Sequence, residues 1–217
     1  MVPMKTGAKM VGRTGQRHGL AVIAILLAMS AAAHAGDNRV LYASLGDSTR
    51  APIGWIDFCT ETPEECRGGA TPARDIVMSQ TAWRDLLKVN RWVNENVKPM
   101  TDIDHWGVVE KWSLPTDGYG DCEDYVLLKR KLLVDAGWPR EALLITVVRD
   151  HKGEGHAVLT VKTDKGEFIL DNQNENVVAW TDTGYRFVKR QSQSDPNVWV
   201  SLGDGRPALA TASARER

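Results

Sequence analysis

Acidic residues are missing from the start of this chain: of 28 Asp and Glu in 217 residues, none falls before Asp37. Lys5, Lys9, Arg13 and Arg17 stand there alone, followed by the apolar run from Leu20 to Met29 and the small-x-small triplet Ala33-His34-Ala35. A basic leader, a short apolar stretch and a small-residue end make the pattern of a secretory signal peptide, and predict cleavage before Gly36. A membrane anchor is the competing reading, but the run is shorter than the ~20 residues a spanning helix needs. The residue immediately after the cleavage point is Gly36 and not a cysteine, which excludes a lipoprotein signal. Long apolar runs are absent from the remainder too. The sequence therefore predicts residues 1–35 as signal peptide and 36–217 as one exported, periplasmic domain that does not span a membrane after cleavage.

Positive charge is also scarce. Without the leader's four basic residues, 23 Lys+Arg face 28 Asp+Glu, a net charge of −5 over 182 residues. No basic run or aromatic-basic stripe is present, so no nucleic acid partner is expected. The remaining composition, 42% hydrophobic and 25% charged, is that of a folded globular domain with a sizeable core.

Cysteine is the third scarcity, with only Cys59, Cys66 and Cys122. In an oxidising compartment an odd count leaves one thiol over. Cys59 and Cys66 sit close together around Pro63 and make the natural disulfide, with half of a metal site as the alternative. Cys122 is then the free thiol.

Its context is informative. Gly118-Tyr119-Gly120-Asp121-Cys122-Glu123-Asp124 precedes an apolar stretch that runs to Val134 and stops at Gly137-Trp138-Pro139. Asp121 is a good N-cap and the glycine a good stop, so Cys122 is predicted to open a helix of about 15 residues. Thiolate, the nucleophilic form, is favoured at such a position by the helix dipole.

Elsewhere the chain alternates helix and strand signals. The Pro-, Gly- and Cys-rich stretch 51–72 predicts an ordered loop, and a strand is expected around Val40-Leu41-Tyr42. A helix is predicted over 75–98, with Ile76, Trp83, Leu86, Leu87, Val89, Trp92, Val93 and Val97 as a core-facing stripe without functional role. Residues 100–121 read as a long loop carrying Asp102, Asp104, Glu110, Asp117 and Asp121, with Trp106 and Trp112 as groove or core residues. Strands are predicted at 142–148, 155–162, 167–171, 177–180 and 185–189, a last apolar contact at Trp199-Val200, and a frayed tail beyond Gly203.

Of the histidines outside the leader (His105, His151 and His156), His156 lies in a predicted strand whose hairpin partner brings a carboxylate within reach. If Asp164-Lys165 closes a two-residue hairpin, Asp171 falls opposite Val158, on the face of His156 and diagonal to it. A carboxylate there fixes the tautomer of an imidazole. The chemistry predicted is Cys122 as nucleophile, His156 as general base and acid, and Asp171 as orienting group.

Gly120-Asp121-Cys122-Glu123-Asp124-Tyr125, Gly155-His156-Ala157-Val158 and Leu170-Asp171-Asn172 together resemble the bacterial transglutaminase-like cysteine peptidases of the LapG type. The resemblance spans roughly Pro52 to Trp199. It implies a papain/transglutaminase-like α+β fold, with the catalytic Cys at the start of a helix packed on an antiparallel β-sheet carrying His and Asp. It also implies periplasmic endoproteolysis of a large surface adhesin, a biofilm-related activity restrained by an inner-membrane regulatory receptor. Finally it implies a calcium ion (Ca2+) beside the nucleophile, with Asp121 and Glu123 as the best-matched ligands and Asp124, Asp102 or Asp104 completing the shell. Physically, three carboxylates around Cys122 oppose thiolate formation, and a hard divalent cation would offset them. Acids that simply favour a helix start are the simpler alternative for the same residues. A transglutaminase or amidase on the same triad, or a non-catalytic binding module, are the other functions the motifs admit.

Overall fold

Strand-forming sequence dominates the second half of the chain, and in the computed structural model, which describes residues 41–68 and 72–203, it builds a seven-stranded antiparallel sheet. The signal-peptide segment, Val40 and the tail beyond Gly203 lie outside the described residues. In chain order the elements are β1 (Leu45–Thr49), α1 (Ile53–Glu61), a 3₁₀ turn (Pro63–Cys66), α2 (Gln80–Asn96), β2 (Lys98–Pro99), α3 (Asp102–Trp106), β3 (Tyr119–Gly120) and α4 (Cys122–Asp135). There follow β4 (Leu143–Arg149), β5 (Gly155–Thr163), β6 (Gly166–Leu170), β7 (Val178–Ala179), a 3₁₀ turn (Trp180–Asp182), β8 (Arg186–Gln191) and β9 (Trp199–Leu202). The sheet order is β1-β9-β8-β4-β5-β6-β7.

One face of the sheet carries Leu143, Ile145, Leu159, Val161 and Leu170 against Val126, Leu127 and Leu133 of α4, with Leu86 of α2 and Trp55 and Phe58 of α1 in the same core. The other face buries Val148, Val158, Ile169 and Phe187 with Trp180 and Ala43. α4 ends where the sequence says it should. Gly137, at φ +89°, lets the Trp138 N–H reach Leu133 O and the Gly137 N–H reach Val134 O, the paired bonds of a Schellman stop.

Several expectations are corrected. The 51–72 stretch is not a plain loop, because α1 forms there on two buried aromatics and the Cys59–Cys66 disulfide closes behind it. The helix expected over 75–98 begins at Gln80, since Ser79 Oγ caps the Ala82 N–H at 3.0 Å. Before the cap, Ile76 is extended and bridges Thr163. Of its predicted stripe, Leu86, Val93 and Val97 are buried, while Leu87 and Trp92 are exposed. Residues 100–121 hold α3 and also β3, which pairs in parallel with β2. β1 carries no buried residue and went unpredicted. Leu41 and Tyr42 lie outside any strand. Trp112 is core, 4% exposed and edge-on to Trp55, whereas Trp106 is 42% exposed. Among the described residues no helix is long and apolar enough to cross a membrane.

α4 also buries a lysine. Lys129 is fully enclosed, its Nζ has no hydrogen-bond partner, and burial lowers its pKa to about 7 against the opposing pull of the Asp171 charge. Unfolded, a lysine keeps its proton to about pH 10.4, so between roughly 7 and 10 the unfolded chain binds more protons and stability rises with pH. Below that window both states are charged and the burial penalty is fully present. Lys129→Met should therefore stabilise the protein by about 1–4 kcal/mol at pH 6, the gain shrinking toward pH 10. Urea denaturation at the two pH values checks this, and a destabilised Lys129→Met at pH 6 would show that the Asp171 charge outweighs burial.

Candidate active site

The β5–β6 hairpin closes at Asp164-Lys165 as predicted, with Thr163 opposite Gly166 and Leu159 opposite Leu170. Asp171 is the next residue beyond the ladder, on the face of His156. His156 Nε2 lies 2.8 Å from Asp171 Oδ1, and both side chains are buried. A carboxylate only accepts, so Nε2–H donates and Nδ1 is the nitrogen left with a lone pair.

Asp171 is held from every side. Its Oδ1 also accepts the Gln173 N–H at 2.9 Å, and its Oδ2 accepts the Tyr185 hydroxyl at 2.7 Å. Burial works against its charge, but these donors, His156 first, bring its pKa below the ordinary carboxylate value. Its backbone is tied to α2: Asn90 Oδ1 accepts the Asp171 N–H at 3.2 Å and Asn94 Nδ2 donates to Asp171 O at 2.9 Å. Asn90 Nδ2 further holds the carbonyls of Asn174 and Glu175. α2 is thus more than the core packing the sequence suggests. The available signal was Asn90 itself, a polar residue at a position in line with Leu86, Val93 and Val97.

Cys122 opens α4, partly buried, and is the free cysteine. Its Sγ–H donates to Glu123 Oε2 at 3.2 Å. Burial, then the Glu123 charge, pushes the thiol pKa well above its ordinary value; the Ala157 N–H, adjacent to His156 on β5, acts in the opposite direction. Burial, with the neighbouring carboxylates adding to it, therefore outweighs the helix-start effect on the thiol.

Those carboxylates form a cluster. Asp102, Asp121 and Glu123 bring one oxygen each within 4.8 Å of one another. Burial and mutual repulsion raise Asp121, and raise Glu123 to about 9. Asp121 stands at the N-cap position but makes no capping bond, and its Oδ1 has no partner. Asp124 is buried with Oδ1 on the Ser113 N–H at 2.7 Å and Oδ2 unpartnered, and burial raises it to about 7. Gly120 is required here, since a Cβ would lie 2.5 Å from Asp124 Oδ2. Asp102 is further fixed by the Lys111 N–H. Asp104 stays out of the cluster: exposed, it accepts from Thr101 Oγ1 at 2.8 Å. Buried carboxylates with unpartnered oxygens fit a hard cation, as an acid-lined surface would not. Of the other histidines, His105 pairs with Asp117 at 2.7 Å and His151 packs at a tilt against the Tyr185 ring.

The family model of the bacterial transglutaminase-like cysteine proteinases matches residues 45–207. The chain belongs to this family. It is accordingly a cysteine peptidase, a hydrolase with a protein substrate, on a mixed α+β transglutaminase-like fold. Among solved structures, Legionella pneumophila LapG is 26% identical over 54% of this chain and 67% of its own, with a TM-score of 0.46. A calcium-bound structure of the same protein is 25% identical, covering 59% and 74%, with a TM-score of 0.48. An EGTA-treated one is 26% identical, covering 56% and 71%, with a TM-score of 0.46. No curated protein matches the chain.

Tyr185 is the residue of this transglutaminase-like site that sequence reasoning missed. A tyrosine at the start of a strand is an ordinary β-former, and nothing local marks it.

Proposed function

We propose that the chain is an exported, calcium-dependent cysteine endopeptidase in which Cys122, His156 and Asp171 form the catalytic triad. The observation that carries this reading is the free Cys122 at the start of α4 beside β5, on which His156 is already fixed to Asp171 at 2.8 Å. His156 Nδ1 takes the thiol proton as the sulfur attacks the scissile carbonyl carbon. The imidazolium, stabilised by Asp171, then protonates the leaving amine, and the acyl group stays on Cys122 as a thioester. Water, deprotonated by the same nitrogen, hydrolyses the thioester and restores the thiol.

Asp102, Asp121 and Glu123 would hold the calcium, with Asp124 at the border of the site. When bound, the cation offsets the carboxylate charge around the thiol and thereby favours thiolate. By resemblance the substrate is a large surface adhesin, cleaved in the periplasm under the control of an inner-membrane receptor; residues 1–35 would be the export signal.

Iodoacetamide labelling mapped by mass spectrometry tests the reading without a known substrate. We expect fast labelling at Cys122 alone in calcium, slowed by about tenfold or more on chelation and in His156→Ala. Slow labelling that is indifferent to both would overturn it. Calcium should also raise the thermal midpoint by several degrees, because a ligand bound only by the folded state stabilises it.

A further inference from the structure

Asp171 has a second oxygen, and what holds it is not part of the triad. Tyr185 Oη donates to Asp171 Oδ2 at 2.7 Å, while its ring stands edge-on to the His156 imidazole at 5.7 Å between centroids and 83° between planes. Its other neighbour is the His151 ring at 5.0 Å.

The segment before β8 is built to deliver the ring there. The 3₁₀ turn at Trp180–Asp182 is closed by Thr183, whose hydroxyl donates to Trp180 O at 2.8 Å and accepts the Tyr185 N–H at 3.2 Å. Gly184 then adopts φ +69°, and a Cβ on it would come within 2.8 Å of His151 Cε1. Only glycine allows the chain to turn at that point with His151 packed against it.

We propose that Tyr185 is a positioning residue of the catalytic centre, its hydroxyl clamping the Asp171 carboxylate and so setting the basicity of His156. The proposal rests on the triad reading. With Oδ1 on His156 and Oδ2 on Tyr185, the carboxylate cannot rotate away from the imidazole, which stays aimed through Nε2. The second hydrogen bond also withdraws part of the charge that stabilises the imidazolium. The hydroxyl keeps its proton, since burial and the adjacent Asp171 carboxylate both raise its pKa. Other groups bear on the same pair. Asp150 lies in the β4–β5 turn, His151 behind the Tyr185 ring, and Lys129 on α4. None of these is hydrogen-bonded to Asp171 Oδ2, so the hydroxyl's contribution can be removed separately.

The test is an NMR titration of the His156 imidazole, assigned by its loss in His156→Ala, in calcium-saturated full-length protein. Tyr185→Phe deletes one oxygen and keeps the ring. It should raise the His156 pKa by about half a unit, because Asp171 regains the charge it shared, while Asp171→Asn should lower it by about one unit or more. The opposite signs separate an effect through Asp171 from general loosening. A retained thermal midpoint in Tyr185→Phe confirms that the fold is intact. If Asp171→Asn lowers the pKa but Tyr185→Phe leaves it unmoved or lowers it, the Tyr185 proposal is overturned and the triad stands. If Asp171→Asn leaves it unmoved, the triad reading itself fails, and Tyr185 with it.

Discussion

Cys122→Ala should lower proteolytic turnover by about a thousandfold or more, on any protein substrate the wild type cleaves, while the folded protein persists. The expectation follows from what the thiol does and does not touch. Its thiol donates to Glu123, the next residue, and faces the Ala157 N–H, and it sits on the first turn of α4, partly buried at the edge of the core. The deletion removes one sulfur atom, with its contacts to Glu123 and the Ala157 N–H, and leaves the α4 backbone bonds in place. The thermal midpoint should stay within about 3 °C of wild type. Freed of the thiol donor, Glu123 keeps its place beside Asp102 and Asp121, so the calcium-induced rise in midpoint should survive as well. A variant that retained a tenth of wild-type turnover would remove Cys122 from the reaction. Loss of the calcium response instead would make the thiol part of the cation site.

What could be read from the sequence, and what could not, divides by the range of the interactions. Cys122 at a helix start rested on three local signals: paired glycines, an N-cap acid and a glycine stop. The structure places α4 at Cys122–Asp135. His156 facing Asp171 rested on a two-residue turn and the period of a strand, and the register Leu159 opposite Leu170 follows from the same rule. The elements that hold Asp171 were out of reach. Asn90 and Asn94 approach from a helix some 80 residues upstream in sequence, separated by 81 and 77 positions from their bonds to Asp171. Tyr185 arrives through a 3₁₀ turn that no pattern announces. α1 was hidden for a different reason. Its stretch is rich in glycine, proline and cysteine, which propensity reads as loop, and burial of Trp55 and Phe58 overrides it. Asp121 was assigned a cap because its position is right, but its carboxylate is drawn into the acidic cluster.

Glu167→Ala should destabilise the protein by about 3–5 kcal/mol, whereas the double replacement Glu167→Met/Arg190→Met should cost only about 1 kcal/mol, left by the Ala43 N–H that loses its acceptor in both. Arg190 Nη1 meets Glu167 Oε1 at 2.7 Å, with the two side chains 3% and 1% exposed. The other carboxylate oxygen accepts the Ala43 N–H at 3.1 Å. Alanine leaves a buried guanidinium without a counter-charge and an amide without an acceptor. Replacing both partners removes the charges together, and a long apolar pair fills the space. The single and double variants should therefore be strongly non-additive in urea denaturation. A Glu167→Ala loss below about 1 kcal/mol would mean that water reaches Arg190 and relieves the charge. The pair matters beyond its energy. It spans from β6 to β8 across β4 and β5, whose Thr146 and Thr160 hydroxyls meet at 2.7 Å on the same face. Glu167 and Asp171 are four residues apart and share that face by strand parity. A one-residue slip of β6 would take Glu167 from its arginine and Asp171 from its histidine in the same movement. The buried ion pair and the His156–Asp171 pair thus demand one register, and the stability of the first keeps the geometry of the second.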